Sequence, residues 1–384
     1  MKTPIYLDYN ATTPVDPRVL ERMTPYFTAH YGNASSQGHA FGWAAAEAVK
    51  VAREEVASAL HADPSEVVFT GGATESINLA IKGVAAAYEK KGRHLVTVQT
   101  EHSAVLQSCA TLERRGWTIT RLPVRPDGVV EPETVEAALT DKTVLVAVMW
   151  ANNETGVVQP IEEISTRVRT RGILFLTDAT QAVGKIAVDV EKVDLLACTA
   201  HKVYGPKGVG ALYVRKNPRV KLVPLIDGGA QEEGLRSGTL NTPGIVGMGA
   251  AVAFAAAGME AEAVRLGGLR DEFERVLMAA TGVRINGAGA SRLPHVSSIV
   301  FPGVRSARLV TELRELAMST GSACSTGTGS PSHVLKAMGL SDDEAYATLR
   351  ISLGRLTTAE EVRFAASRIA AVVGRLQNSS PVTI

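Results

Sequence analysis

Cysteine is scarce in this chain: 384 residues contain only three, Cys109, Cys198 and Cys324. An odd number with no C-x-x-C pair argues against both a disulfide framework and a zinc site, so reduced thiols are expected. A bias toward one sign of charge is missing too. Lys and Arg total 40 against 39 for Asp and Glu. No basic stripe is interleaved with aromatics, which leaves no mark of a nucleic-acid or membrane surface. Small substrates suit that balance better.

Long apolar runs are also absent. The chain reaches Asp8 before a signal-peptide core could form, and a cytoplasmic protein is expected. The longest mostly apolar stretch, 245–259, is largely Gly, Ala and Val. It falls short of the roughly 20 residues a bilayer demands and reads as a buried helix. Internal repeats, low-complexity linkers and blocks of like charge are missing, so nothing marks an independent interaction tail.

What is present is alternation. Short β-rich runs at 67–70, 95–98, 118–122, 143–150, 174–178, 195–200 and 211–214 are separated by helical segments, which predicts an α/β fold with a mainly parallel sheet. The run 143–150 is apolar at nearly every position, as expected of a central strand covered on both faces. After about Gly258 the pattern changes to a charged helical stretch at 260–280, a strand at 296–301, a helix at 307–316 and a strand at 349–353. That reads as a smaller α+β unit, and the length allows one large domain plus a smaller one. The last helix starts at Thr358 with Glu361 completing a capping box, and its apolar residues recur at Val362, Ala365, Ile369, Val372 and Leu376.

Several residues carry chemistry. Gly71-Gly72-Ala73-Thr74-Glu75-Ser76 follows a strand and opens a helix, so backbone N–H groups and a hydroxyl converge on a positive helix end suited to an anion. By itself it could equally be a tight turn. Lys202, in Ala200-His201-Lys202-Val203-Tyr204-Gly205, follows a buried strand and could form a Schiff base if desolvation favours its free amine. The alternative is a solvated loop lysine. Asp178 stands at a strand C-terminus, where α/β folds place ligands, and could hold a pyridine nitrogen protonated; in isolation it could also cap a helix. Cys109 and Cys198 fall in a helical and a strand-like run and read as inert small hydrophobes. Cys324 lies in Ser319-Thr320-Gly321-Ser322-Ala323-Cys324-Ser325, with Gly327, Gly329 and Pro331 following, a composition suited to a loop that moves a nucleophile.

Taken in order, the Gly-Gly-Ala-Thr-Glu-Ser turn, Thr100-Glu101-His102, Asn152-Asn153-Glu154-Thr155-Gly156, Asp178-Ala179-Thr180-Gln181 and Ala200-His201-Lys202 resemble the class V aminotransferase fold family. The segment around Cys324 is similar to the cysteine loop of the group I cysteine desulfurases of the NifS/IscS type; group II enzymes carry an Arg-x-Gly-His-His-Cys type of segment instead. The resemblance runs from Tyr6-Leu7-Asp8-Tyr9-Asn10 to Leu353-Gly354-Arg355.

That resemblance implies a pyridoxal-phosphate-dependent transferase of fold type I. Its large cofactor-binding domain would span 15–259, and a small α+β domain built from 1–14 and 260–384 would carry the cysteine loop. It further implies that Lys202 holds pyridoxal 5'-phosphate, Asp178 pairs with the pyridinium nitrogen and Gln181 binds the phenolic oxygen. His102 would stack on the ring and move a proton. Ala73, Thr74, Thr199 and His201 would hold the phosphate, joined by Thr239 from the partner subunit of a homodimer. Asn153, beside the cofactor, and Arg350 would hold the substrate carboxylate. The implied reaction converts L-cysteine to L-alanine and leaves sulfur as a persulfide on Cys324. The sulfur would serve iron–sulfur clusters and thiolated tRNA through an iron–sulfur scaffold or another acceptor protein, with which Cys324 could transiently share a cluster. Thr199 departs from the family's usual serine, and many relatives carry a longer C-terminal tail that helps dock a scaffold. Two alternatives stay open: another class V enzyme, such as a selenocysteine lyase or an aminotransferase, and a sulfur-relay platform that works mainly by binding partners.

Overall fold

The computed structural model describes residues 3–320 and 330–378. Among them are thirteen strands: β1 (Ile5–Tyr6), β2 (Val67–Thr70), β3 (His94–Val98), β4 (Thr118–Leu122), β5 (Thr143–Ala147), β6 (Leu174–Asp178), β7 (Leu195–Thr199), β8 (Gly210–Val214), β9 (Arg284–Ile285), β10 (Val296–Val300), β11 (Leu316–Ala317), β12 (Ser319–Thr320) and β13 (Thr348–Ser352).

Seven strands form the large sheet in the order β2-β8-β7-β6-β5-β3-β4. Every neighbouring pair is parallel except those made by β8, which runs antiparallel to both β2 and β7. The sheet is therefore mainly parallel, as the alternation of strands and helices predicts. Successive residues of β7 point into opposite apolar layers: Leu195 and Ala197 join one cluster, Leu196 and Cys198 the other. Burial on both faces explains why these strands read as nearly continuous apolar runs. The regular part of the central strand stops at Ala147, three residues short of the run seen in the sequence. The N–H groups of Val148 and Trp150 still donate to the carbonyls of Leu176 and Asp178, so the chain stays beside β6 as far as the cavity described below.

A second, antiparallel sheet has the order β12-β13-β10-β9 and packs with its helices around Phe273, Phe301, Leu309, Ile351 and Ile369. The expected helix at 307–316 is shorter, Ser306–Glu312, because Leu316 is taken into a parallel pair with Ile5. The terminal helix Ala359–Asn378 begins as its capping box predicts: the Thr358 N–H donates to Glu361, and the Glu361 N–H donates to Thr358 Oγ1.

The two helical stretches read on either side of residue 259 are one helix, Thr242–Thr281. Its first half is buried through Ile245, Met248, Ala251 and Val252 in the large-sheet core, and its second half buries Leu266, Phe273 and Leu277 in the other core. It is the one described helix long and apolar enough to cross a membrane, and 56% of its most apolar window is buried inside the fold. The change from Gly/Ala-rich to charged sequence marks a change of neighbours along a continuous helix.

Candidate functional site

A cavity of about 740 Å³ opens at the C-terminal ends of the parallel strands. The turn after β2 contributes Gly72, Ala73 and Thr74, the turn after β3 brings His102, and the segment after β5 brings Asn153. Asp178, Thr180 and Gln181 come from the end of β6, and Thr199, His201 and Lys202 from the end of β7. Arg350, on β13 of the second sheet, and Asn10, in the segment after β1, close the cavity from the other side. The residues from 72 to 202 face one space because the strands that carry them run in the same direction, and Asn10 and Arg350, 340 positions apart, are brought to it from outside that sheet.

The anion end is built from glycine. Gly72 sits at φ 147°, a conformation that favours glycine, as the N-cap of helix Ala73–Tyr88, and it supplies no capping side chain. Gly210 of β8 packs against it, so that a Cβ at 210 would stand 2.7 Å from the Gly72 Cα. This close approach holds an uncapped helix start against the cavity, with backbone N–H groups available to a phosphate. The Thr199 hydroxyl donates to the Val209 carbonyl at 3.0 Å, so its proton is committed in this arrangement.

Lys202 lies in the short turn Ala200–Lys202 immediately after β7. Its Nζ donates to the carbonyl of Ala11 at 2.7 Å and to that of Asn10. Asp178 is buried at 7% exposure, and its Oδ1 accepts the Thr180 N–H at 3.0 Å. The Thr180 hydroxyl is buried and has no hydrogen-bond partner. His102 caps helix Ser103–Glu113, with Nδ1 accepting the Ala104 N–H at 3.1 Å. Burial pushes the His102 pKa down, the nearby Asp178 charge opposes that, and Lys202 and His333 add to it. The ring is thus neutral at ordinary pH, and the Ala104 contact leaves its proton on Nε2. Burial, reinforced by Lys202, Lys207 and Lys185, pushes His201 down to about 4.

Arg350 is 3% exposed. Its guanidinium donates to Asp8 at 2.7 Å and to the Asn153 carbonyl at 3.0 Å, while its Nε is buried without a partner. A buried fork with one unused donor suits an incoming carboxylate. Arg350 and Glu75 are each paired, with Asp8 at 2.7 Å and Arg236 at 2.9 Å, and on the rest of the cavity wall Lys202 and Lys207 outweigh Asp178. The space favours a ligand that carries negative charge.

The donor set matches pyridoxal 5'-phosphate: an uncapped helix start for a phosphate, a lysine for a carbonyl carbon, a buried carboxylate for a ring nitrogen and an unsatisfied buried hydroxyl beside it. Of the residues singled out from the sequence, Ala73, Thr74, His102, Asn153, Asp178, Gln181, Thr199, His201, Lys202 and Arg350 line the cavity. Thr239 is exposed and is not part of this wall, and Cys324 lies outside the described residues. Cys109 and Cys198 are buried, and burial pushes both thiols up to about 12, as inert core cysteines require.

Sequence reasoning passed over Asn10, whose carbonyl accepts from both Gln181 and Lys202. It also passed over Asp8, Lys185 and Lys207. Asn10 works here through its backbone, which leaves no side-chain signature. The other three became meaningful only once their partners were known.

Known proteins resemble this chain over nearly its whole length. A protein named cysteine desulfurase IscS from Anaeromyxobacter dehalogenans (strain 2CP-C) is 52% identical, across 100% of this chain and 95% of its own length. One of the same name from Neisseria meningitidis serogroup C / serotype 2a (strain ATCC 700532 / DSM 15464 / FAM18) is 51% identical over the same shares. A solved structure called a NifS-like protein superposes with a TM-score of 0.90 at 39% identity, covering 97% of this chain and 99% of that one. Another, described as SspA in complex with cysteine, gives 0.82 at 41% identity over 91% of this chain and 98% of its own. A profile described as aminotransferase class-V matches residues 5–364, so with lysine, carboxylate and helix start meeting at the strand ends, this chain belongs to the class-V aminotransferase family.

Proposed function

We propose that this chain is a pyridoxal-phosphate-dependent cysteine desulfurase that converts L-cysteine to L-alanine and takes the sulfur as a persulfide on Cys324. The observation that carries the reading is the convergence of Lys202 and Asp178 on one cavity beside an uncapped helix start. Full-length relatives named cysteine desulfurase, and a structural neighbour holding cysteine, support the same substrate.

When bound, pyridoxal 5'-phosphate supplies an electron sink conjugated to the α-carbon of the amino acid. Lys202 would hold the cofactor through Nζ and, as a free amine, would take the α-proton at the same atom. Asp178 would keep the ring nitrogen protonated, Gln181 would donate to the phenolic oxygen, and Ala73, Thr74, Thr199 and His201 would hold the phosphate. His102, neutral with its proton on Nε2, would cover the ring and act as a proton donor before it is an acceptor. Arg350 and Asn153 hold the substrate carboxylate. The Cys324 thiolate attacks the substrate sulfur, the carbon–sulfur bond breaks, and the carbon is protonated, so that cysteine plus enzyme thiol gives alanine plus enzyme persulfide.

The reading includes a homodimer. Phe27, Tyr31, Phe41 and Trp43 are 50–67% exposed, a concentration of aromatic surface that a second copy would cover, and Thr239 is exposed and available to a partner's phosphate site. An iron–sulfur scaffold or another acceptor protein would receive the sulfur in the cytoplasm. The division into residues 15–259 and 1–14 plus 260–384 is part of the proposal and is supported by the separate apolar clusters around the two sheets.

The test is to incubate the purified protein with L-cysteine, measure alanine, and look by mass spectrometry for added sulfur on the peptide containing Cys324. Alanine with one added sulfur on that peptide is expected. Formation of pyridoxamine phosphate and a keto acid without alanine would instead make the protein an aminotransferase.

A further inference from the structure

Lys185 has no role in the chemistry above, yet it sits directly behind it. Its Nζ donates to the Gln181 Oε1 at 2.8 Å, and the Gln181 Nε2 donates to the Asn10 carbonyl at 3.1 Å. The same carbonyl accepts from Lys202, and the Asn10 side chain is held by His295 at 2.9 Å and by the Asn153 carbonyl at 3.0 Å. Gln181 is 3% exposed and lines the cavity.

A carboxamide can be turned end for end with almost no change in shape, so only its neighbours decide which end faces a ligand. Here both neighbours agree. Turned over, Gln181 would set its NH2 against the Lys185 amine and its oxygen against the Asn10 carbonyl. With Lys185 protonated, two hydrogen bonds would become a donor–donor and an acceptor–acceptor contact in a buried place; with its amine neutral, the Asn10 contact would still be acceptor–acceptor.

We propose that Lys185 is a positioning residue: by holding the oxygen of the Gln181 carboxamide, it keeps the NH2 end available as a donor to the phenolic oxygen of the cofactor. The inference rests on the reading in which pyridoxal 5'-phosphate occupies the cavity.

The residue itself is costly to place. Burial around its amine, with repulsion from Lys202, pushes the Lys185 pKa down to about 7; Glu262 opposes the shift and Arg350 adds to it. His295 and His201 also lie within its field. An aliphatic side chain of similar volume would fill the space without that desolvation. The oriented amide is what the lysine adds.

A donor at the phenolic oxygen stabilises its anionic form and weakens its hold on the imine proton, so losing the donor should raise the pH at which the imine deprotonates. The experiment titrates the visible band of the full-length holoenzyme for the parent, Lys185→Met, Gln181→Leu and the double variant. Folding is checked by circular dichroism, and the Lys202 linkage by borohydride reduction and peptide mapping. Lys185→Met is expected to raise the midpoint by about one pH unit, a tenfold change in the equilibrium, and to add nothing further in the Gln181→Leu background.

A midpoint unchanged in Lys185→Met overturns the proposal. So does a shift that persists in full without Gln181, because the lysine would then act by its field alone. Should Lys185→Met fail to fold or to load cofactor, Lys185→Gln decides: it is one atom shorter and uncharged but still a donor, and its midpoint should stay near the parent's. A displacement of about one unit there would overturn the proposal as well. If borohydride fixes no cofactor on Lys202 in the parent, the functional reading fails instead, which is a distinguishable result.

Discussion

The Arg350 guanidinium is shared between the Asp8 carboxylate at 2.7 Å and the Asn153 carbonyl at 3.0 Å, across the gap between the two sheets. Arg350 stands on β13, and Asp8 is bridged to Ser352 of the same strand, so the N-terminal segment and the second sheet fix the fork before any substrate arrives. An incoming carboxylate must share the fork with Asp8 or use the unpartnered Nε. Arg350→Lys keeps the charge but loses the planar fork. The KM for cysteine should rise about 10- to 100-fold, in line with the roughly 1.5–3 kcal/mol of a charged hydrogen bond. Steady-state kinetics on enzyme with full cofactor absorbance checks this; an unchanged KM would place the carboxylate elsewhere.

Lys202→Ala removes both the covalent attachment and the base. Alanine production should fall at least about 10³-fold, the scale lost when a general base is removed. Cofactor should also wash out on dialysis, because only the helix start, Asp178 and neighbouring polar groups remain to hold it. Absorbance after dialysis and an alanine assay read the two effects separately.

The strands that carry the site were legible because burial on both faces writes itself as apolar runs, and Lys202 and Asp178 stood out because each follows such a run. Strand order was not legible: β8 inserts antiparallel between β2 and β7, a pairing set by contacts more than 100 residues apart in the case of β2. The single helix Thr242–Thr281 misled in another way, since its composition follows what it packs against rather than where it ends. At the site, side chains with a chemical signature were found, whereas the Asn10 carbonyl and the Lys185 support for Gln181 exist only through tertiary contact.

Phe273 tests the second core independently of the cavity. It is 1% exposed, packed in the cluster with Leu7, Phe301 and Ile351, and lines no part of the 740 Å³ space. Phe273→Ala should cost about 3–5 kcal/mol through lost burial and a residual void. Met278, on the same helix but 47% exposed, should change stability by about 0.5 kcal/mol or less when replaced by Ala. Urea denaturation of the two variants provides the comparison.

His201 makes a prediction about acid. Burial and the neighbouring lysines push its pKa down to about 4 in the fold from the 6.5 of an unperturbed histidine, so between those values the unfolded chain binds a proton that the folded chain excludes. Stability must therefore fall as pH drops from about 6.5 toward 4, and His201 contributes nothing to the slope well above 6.5. His102 and His295, also pushed down by burial, act with the same sign, whereas Glu101 and Glu154, pushed up by burial, act with the opposite sign. Those groups are common to parent and variant, so His201→Gln isolates one residue. The variant should lose stability less steeply between pH 6.5 and 4. The difference in slope is at most about 1.4 kcal/mol per pH unit, and smaller in practice because the ring keeps some contact with solvent. Urea unfolding of the cofactor-free proteins at pH 7, 6, 5 and 4 measures it. A gap between parent and variant that stays constant over that range would mean His201 takes up its proton in the fold as readily as in the open chain, and neither its burial nor the neighbouring lysines would then be setting its charge.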